Sequence, residues 1–113
     1  MAGALIRRGA LVTVVLPGEY GKPRPALVVQ ADLFDALPSA TVCPLTTTLR
    51  QDAELLRLTI EPSPENGLRH ASQIVIDKIS TVARGRVGGV IGHADDRVML
   101  RVNRALALYL GLA

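Results

Sequence analysis

The chain has one cysteine, no tryptophan, two tyrosines and one phenylalanine in 113 residues. A lone thiol excludes an internal disulfide and fits a reducing compartment. Aromatics make up only 3% of the chain while 49% of it is hydrophobic, so the core has to be built from Leu, Val, Ile and Ala. No apolar run reaches the roughly 20 residues that span a bilayer, and the first residues lack the apolar core of a signal peptide. A cytoplasmic protein with no membrane segment is therefore expected. The two histidines, His70 and His93, stand far apart, and with a single thiol they offer no metal-ligand cluster. No metal and no other cofactor is expected. Arg84-Gly85-Arg86-Val87-Gly88-Gly89 is rich in glycine, but it lacks the spacing and the strand-to-helix setting of a phosphate loop. Nothing marks a nucleophile elbow.

What is present bounds the answer further. The length suits one domain, residues 1–113, with a single core. The net charge is +3, which suits a polyanionic partner without requiring one. Eleven of the thirteen cations are arginine, the better residue for two-pronged phosphate contacts. Only 20% of the residues are charged, and the apolar surplus predicts that some surface is buried against a second copy, in a homodimer.

Pattern and punctuation predict many short strands and one helix. Residues 10–16 read as a strand, 17–22 as a loop, 25–30 as a second strand and 31–37 as a short helical turn. Residues 39–46 form a third strand, 49–54 a polar loop and 55–60 a fourth strand. Residues 71–82 read as one long fifth strand with Val75, Asp77 and Ile79 on one face. Arg84 to Gly89 reads as a connection. A helix is expected over 94–110, with His93 a poor N-cap, acidic Asp95 and Asp96 in its first turn and Gly111 just beyond its end. Val98, Val102, Ala105 and Tyr109, with Met99 and Leu106, form its apolar stripe, and Arg97, Arg101 and Arg104 a solvated opposite face. The expected class is mostly β (α+β): an antiparallel, barrel-like sheet with a C-terminal helix.

The segment Gly21-Lys22-Pro23-Arg24-Pro25-Ala26-Leu27-Val28-Val29-Gln30 carries the most information. Pro23 and Pro25 stiffen the chain around Arg24 and push their neighbours into extended conformations. A guanidinium is thereby held at the mouth of a core strand, either aimed at an anion or paired in a structural ion pair. The hydroxyls of Thr46, Thr47 and Thr48 follow a strand, and Asp77 lies within another. This set suits cleavage of RNA, which carries its own nucleophile in the 2′-hydroxyl. The reaction needs a proton acceptor, a donor for the leaving 5′-oxygen and charge stabilisation on the phosphorane. Arg24 suits charge stabilisation, and a partly buried Asp77 would suit proton acceptance. Thr46 could equally be a strand-end hydroxyl bonded to backbone, and Asp77 a structural partner of Lys78.

Four segments in order resemble the MazF/PemK family of toxin endoribonucleases. They are Arg8-Gly9-Ala10-Leu11-Val12, Lys22 to Gln30, Val42-Cys43-Pro44-Leu45-Thr46-Thr47, and Asn66-Gly67-Leu68 followed by Ser72 to Ile79. The resemblance implies a PemK-like, SH3-like barrel and a homodimer that cleaves single-stranded RNA without metal, leaving a 2′,3′-cyclic phosphate and a 5′-hydroxyl. It also implies a cognate antitoxin whose tail occupies the RNA groove. Arg24, Thr46 and Asp77 match catalytic positions. RNA contacts are implied for Glu19, Tyr20 and Lys22 in the loop, for Thr47 and Thr48, and for Lys78. The chain departs from the family pattern at Ala10, Val75, Lys78, Ser80 and Ala83. The competing expectation is a protein-targeting or non-catalytic toxin of the same fold. Gyrase inhibitors of the CcdB type depend on a C-terminal Trp-Gly-Ile segment, and this chain has no Trp.

Overall fold

The computed structural model describes residues 6–18 and 20–112. They form seven strands and one α-helix: β1 (Ala10–Val15), β2 (Pro23–Val28), β3 (Ser39–Thr46), β4 (Arg57–Ile60), β5 (Ser72–Val75), β6 (Ser80–Ala83), β7 (Val87–His93) and α1 (Asp96–Tyr109). All pairings are antiparallel, in the order β4-β5-β3-β2-β1-β7, with β6 added on β3.

β3 is the axis. One of its edges carries β2, from Val28 opposite Val42 to Ala26 opposite Pro44. The other edge carries two strands in succession. β6 pairs over Ser39 to Val42, and β5 pairs at Leu45 and Thr46. Residues 71–82 therefore do not run as one strand. A 3-10 turn at Ile76–Lys78 breaks them, and Ile76 is buried there with its N–H donating to the carbonyl of Leu56 at 2.8 Å. The break lets one segment serve two stretches of the same edge as the sheet curls.

Curling buries both faces of the central strands. Leu11, Leu27, Cys43 and Leu45 join Ile74, Ile76 and the helix residues Val102 and Ala105 in one cluster. Ala10, Val12, Val14, Ala26, Val28 and Val42 form the other. At about 25 cal/mol per Å² of buried apolar surface, these two layers are the main term holding a nearly aromatic-free core together.

The glycine-rich segment after β6 is a second correction. Within residues 84–89, expected to be a connection, Arg84–Arg86 is a 3-10 turn and Val87 to Gly89 open a strand, Val87–His93, that runs along β1. Gly88 and Gly92 serve close approach. A Cβ on Gly88 would meet the Thr13 side chain, and one on Gly92 would meet the backbone of Asn66.

The helix begins two residues later than expected. Its N-cap is Asp95, not His93, because the Asp95 carboxylate accepts the N–H of Val98 at 2.8 Å. Gly111 closes it at φ +75, with Gly111 donating to Leu108 and Leu112 to Ala107. That is the paired bonding of a Schellman cap.

Candidate active site

β2 enters the sheet through Pro23, Arg24 and Pro25, opposite Val15, Val14 and Thr13 of β1. The ladder with β3 starts only at Ala26. The two prolines, which have no N–H to donate, thus sit where β2 has no neighbour on its β3 side. The sequence places the stiff dipeptides where they cost no ladder bond, and Arg24 is exposed between them.

Past the end of β3, Thr46 folds the chain back on itself. Its Oγ1 accepts the N–H of Thr48 at 3.1 Å. Arg50 then bonds bidentately to Asp52, Nε to Oδ1 at 3.2 Å and Nη2 to Oδ2 at 3.0 Å. The bond from Arg50, helped by its charge, holds the Asp52 carboxyl below the usual carboxylate range. The charge of Asp77 reaches Arg50 as a weaker influence.

Arg24, Thr46, Thr47, Thr48 and Lys78 line one cleft of about 390 Å³. Residues from three separated stretches of sequence, singled out for their chemistry, therefore meet in space. Arg57 of β4 lines the same cleft, and sequence analysis missed it because it belongs to no motif. Its only sequence signal is a cation alternating with the buried Leu58 and Ile60 in a short strand. Three cations and no carboxylate are found among the described residues that line this cleft. A larger cleft of about 550 Å³ between the 61–66 turn and α1 mixes Glu61, Glu65 and Asp95 with Arg97 and Arg101, so it has no single sign to offer a polyanion.

Asp77 is not part of the lining. It lies on the Ile76–Lys78 turn, exposed rather than half buried in a strand. Its backbone carbonyl accepts from the Tyr109 hydroxyl at 3.4 Å. The partial burial expected for its carboxylate is absent. Tyr20 and Lys22 are also exposed and outside the cleft lining, with Tyr20 at φ +53. Glu19 lies outside the described residues. Among the described residues no group of three or more His, Cys, Asp or Glu side chains could hold a metal ion.

Among the described residues, a curled antiparallel sheet bears a cationic, hydroxyl-lined cleft, whose charge is of the sign that attracts a phosphate-bearing polymer. Comparison with known proteins gives it a family. Residues 7–110 match the model of the PemK-like, MazF-like toxins of type II toxin–antitoxin systems. The chain is 46% identical over 109 residues to the probable endoribonuclease MazF of Mycolicibacterium smegmatis, covering 96% of this chain and 99% of that one. It is 31% identical over 113 residues to the endoribonuclease EndoA of Bacillus subtilis, covering 96% and 97%. Among solved structures it is similar to an endoribonuclease in complex with its cognate antitoxin from a mycobacterial species, with TM-score 0.80, 25% identity and coverage of 96% and 97%. The toxin MazF-mt6 of Mycobacterium tuberculosis shares the fold at TM-score 0.78 and 23% identity, over 92% of this chain and 98% of that one. The chain belongs to the PemK-like, MazF-like toxins of type II toxin–antitoxin systems.

Proposed function

We propose that this toxin cleaves single-stranded RNA without a metal ion, and that the Arg24–Thr46 cleft is where it does so. The observation that carries the reading is the meeting of Arg24, the Thr46–Thr48 hydroxyls, Arg57 and Lys78 in one cleft with no carboxylate among its described lining residues.

The reaction follows from what RNA brings and what these groups supply. The 2′-oxygen attacks the adjacent phosphorus and the bond from phosphorus to the 5′-oxygen breaks, leaving a 2′,3′-cyclic phosphate and a 5′-hydroxyl. Arg24 stabilises the charge that builds on the phosphoryl oxygens, since a guanidinium stays protonated and offers a planar fork. The Thr46 hydroxyl donates to one of those oxygens. Asp77, on the turn between the lining residues Val75 and Lys78, is assigned the proton from the 2′-hydroxyl. Lys78, whose ammonium can release a proton where a guanidinium does not, protonates the departing 5′-oxygen. Arg57, Thr47 and Thr48 hold flanking phosphates and sugars, and the Glu19 to Lys22 loop contributes from outside the cleft.

The partners follow from the same reading. A mycobacterial relative is seen in complex with its cognate antitoxin; in this chain a cognate antitoxin would shut the cleft by occupying it. Exposed Leu100, Leu108 and Leu112 on and after α1 support a homodimer that covers apolar surface. A cytoplasmic location fits an RNA substrate; no described helix is long and apolar enough to cross a membrane.

The test is a labelled single-stranded RNA incubated with pure protein and excess EDTA. Cleavage with 5′-hydroxyl and cyclic phosphate ends is expected. Cleavage only on adding Mg²⁺, or products with 5′-phosphates, would overturn the mechanism.

A further inference from the structure

Gln73 is an amide buried to 3% exposure in the middle of β5, between Ser72 and Ile74. Across the ladder it stands beside Thr46 of β3 and Thr59 of β4. Its side chain makes three hydrogen bonds. Oε1 accepts the Arg50 N–H at 3.0 Å, while Nε2 donates to the Arg50 carbonyl at 2.8 Å and to Thr59 Oγ1 at 3.2 Å. The Arg50 backbone fixes which end of the amide is which, because its N–H needs an acceptor and its carbonyl a donor.

The two bonds to Arg50 are the exchange that a neighbouring strand residue would make with its own backbone. A side chain has replaced a strand, and the loop after β3 is fastened to the sheet at Arg50. Its other end is fastened by the β3 ladder and by the Thr48 N–H on Thr46 Oγ1. Thr47, Thr48 and Leu49 are strung between these two anchors. The Arg50 side chain takes no part, being occupied by Asp52. Gln73 is not among the residues that line the cleft, so it can touch RNA only through what it holds.

We propose that Gln73 is a positioning residue for RNA cleavage, clamping the Arg50 backbone so that the Thr46–Thr48 hydroxyls are held at the cleft. The proposal rests on the reading of that cleft as the cleavage site. Groups that act through one another couple in double-mutant cycles, whereas independent losses add. A clamp on a reacting geometry should also act on kcat more than on ground-state binding.

The test uses Gln73→Met, which keeps length and removes the polar atoms, in the wild-type and Thr46→Ala backgrounds. Kinetics are measured on one RNA, and binding on the same RNA with a 2′-deoxy residue at the cut. Gln73→Met should lower kcat by about tenfold or more alone, and by under about threefold in Thr46→Ala, with binding changed by under about threefold. Amide hydrogen exchange should show Arg50 N–H, protected in wild type, losing protection. If Gln73→Met is unfolded at the assay temperature by thermal melt, Gln73→Asn is read instead, since it keeps the amide but falls one methylene short of Arg50. Equal losses in both backgrounds, a loss confined to binding, or unchanged kcat would overturn the proposal. A wild-type chain that cleaves no RNA overturns the cleavage reading instead. Exchange then still decides the clamp, which fails if Arg50 protection is unchanged in the variant.

Discussion

Thr46 Oγ1 accepts the backbone N–H of Thr48 at 3.1 Å, so the hydroxyl spends a lone pair on the fold and keeps its proton for something else. Thr46→Ser should retain most activity. Thr46→Val, which preserves shape and removes the donor, should slow cleavage by about three- to tenfold, the worth of one neutral hydrogen bond. A single-turnover rate series on one RNA checks this, and a Thr46→Val enzyme as fast as wild type removes Thr46 from the reaction.

Arg24→Lys keeps the charge and loses the fork. Both Arg24→Lys and Arg24→Ala should drop the rate by about 10²–10³, the range seen when one charge-stabilising donor is removed. Melting curves are taken on each variant to confirm that it is folded. Near wild-type cleavage by folded Arg24→Ala would move the site elsewhere.

Arg57 should be felt through salt. Single-strand binding weakens with salt at a log–log slope of about −0.7 per phosphate neutralised. Arg57→Ala should make that slope shallower by about 0.7 and weaken binding at low salt. A slope identical to wild type would place Arg57 outside the RNA path.

Gly67 and Gly92 lock the 61–67 turn onto β7. A Cβ on Gly67 would meet the Ile91 carbonyl, and Gly67 also has φ +68; a Cβ on Gly92 would meet the Asn66 backbone. Either Gly→Ala change should cost about 2 kcal/mol or more. Gly89→Ala, with open space around it, should stay within about 0.5 kcal/mol. Denaturant melts of the three variants make the comparison, and three equal midpoints would refute it.

Cys43 titrates far above its ordinary range. Burial pushes its thiol up to about 12 from 9.0, against a smaller opposing pull from Arg8. The thiolate is the reactive form, so native Cys43 should resist a disulfide reagent at pH 8 and react once the chain is unfolded. Because the folded value exceeds the unfolded one, the stabilisation is complete below about pH 9 and is lost as pH rises toward 12. Cys43→Ala should therefore show a flatter stability curve than wild type over that window.

The strands that bury alternating or continuous apolar residues were legible: β1, β2 and β3 lie close to where their Val, Leu and Ala runs put them. So was the helix, from its stripe and its closing Gly111. Two misjudgements share a cause, since pairing partners are not written locally. Residues 71–82 look like one strand because Ile76 and Ile79 continue the apolar pattern, yet the segment must serve two stretches of β3. β7 looks like a loop because glycine usually ends a strand, yet here Gly88 and Gly92 admit neighbours that a side chain would exclude. The site divided in the same way. Arg24, Thr46 and Lys78 were found through motifs, and the structure brings them to one cleft. Arg57 has no motif, and the expected burial of Asp77 depended on a strand that is not there.

The handover on β3 leaves Cys43 and Pro44 between its last β6 partner, Val42 with Ser80, and its first β5 partner, Leu45 with Ile74. Both residues pair with β2 on their other edge, but an edge left open inside a sheet is an invitation to a foreign strand or to a slipped register. Proline is the one residue that cannot answer with an N–H. Pro44 therefore acts as a guard against misassembly at the seam, and the Pro-Leu-Thr-Thr motif protects the sheet at one end while it supplies hydroxyls at the other.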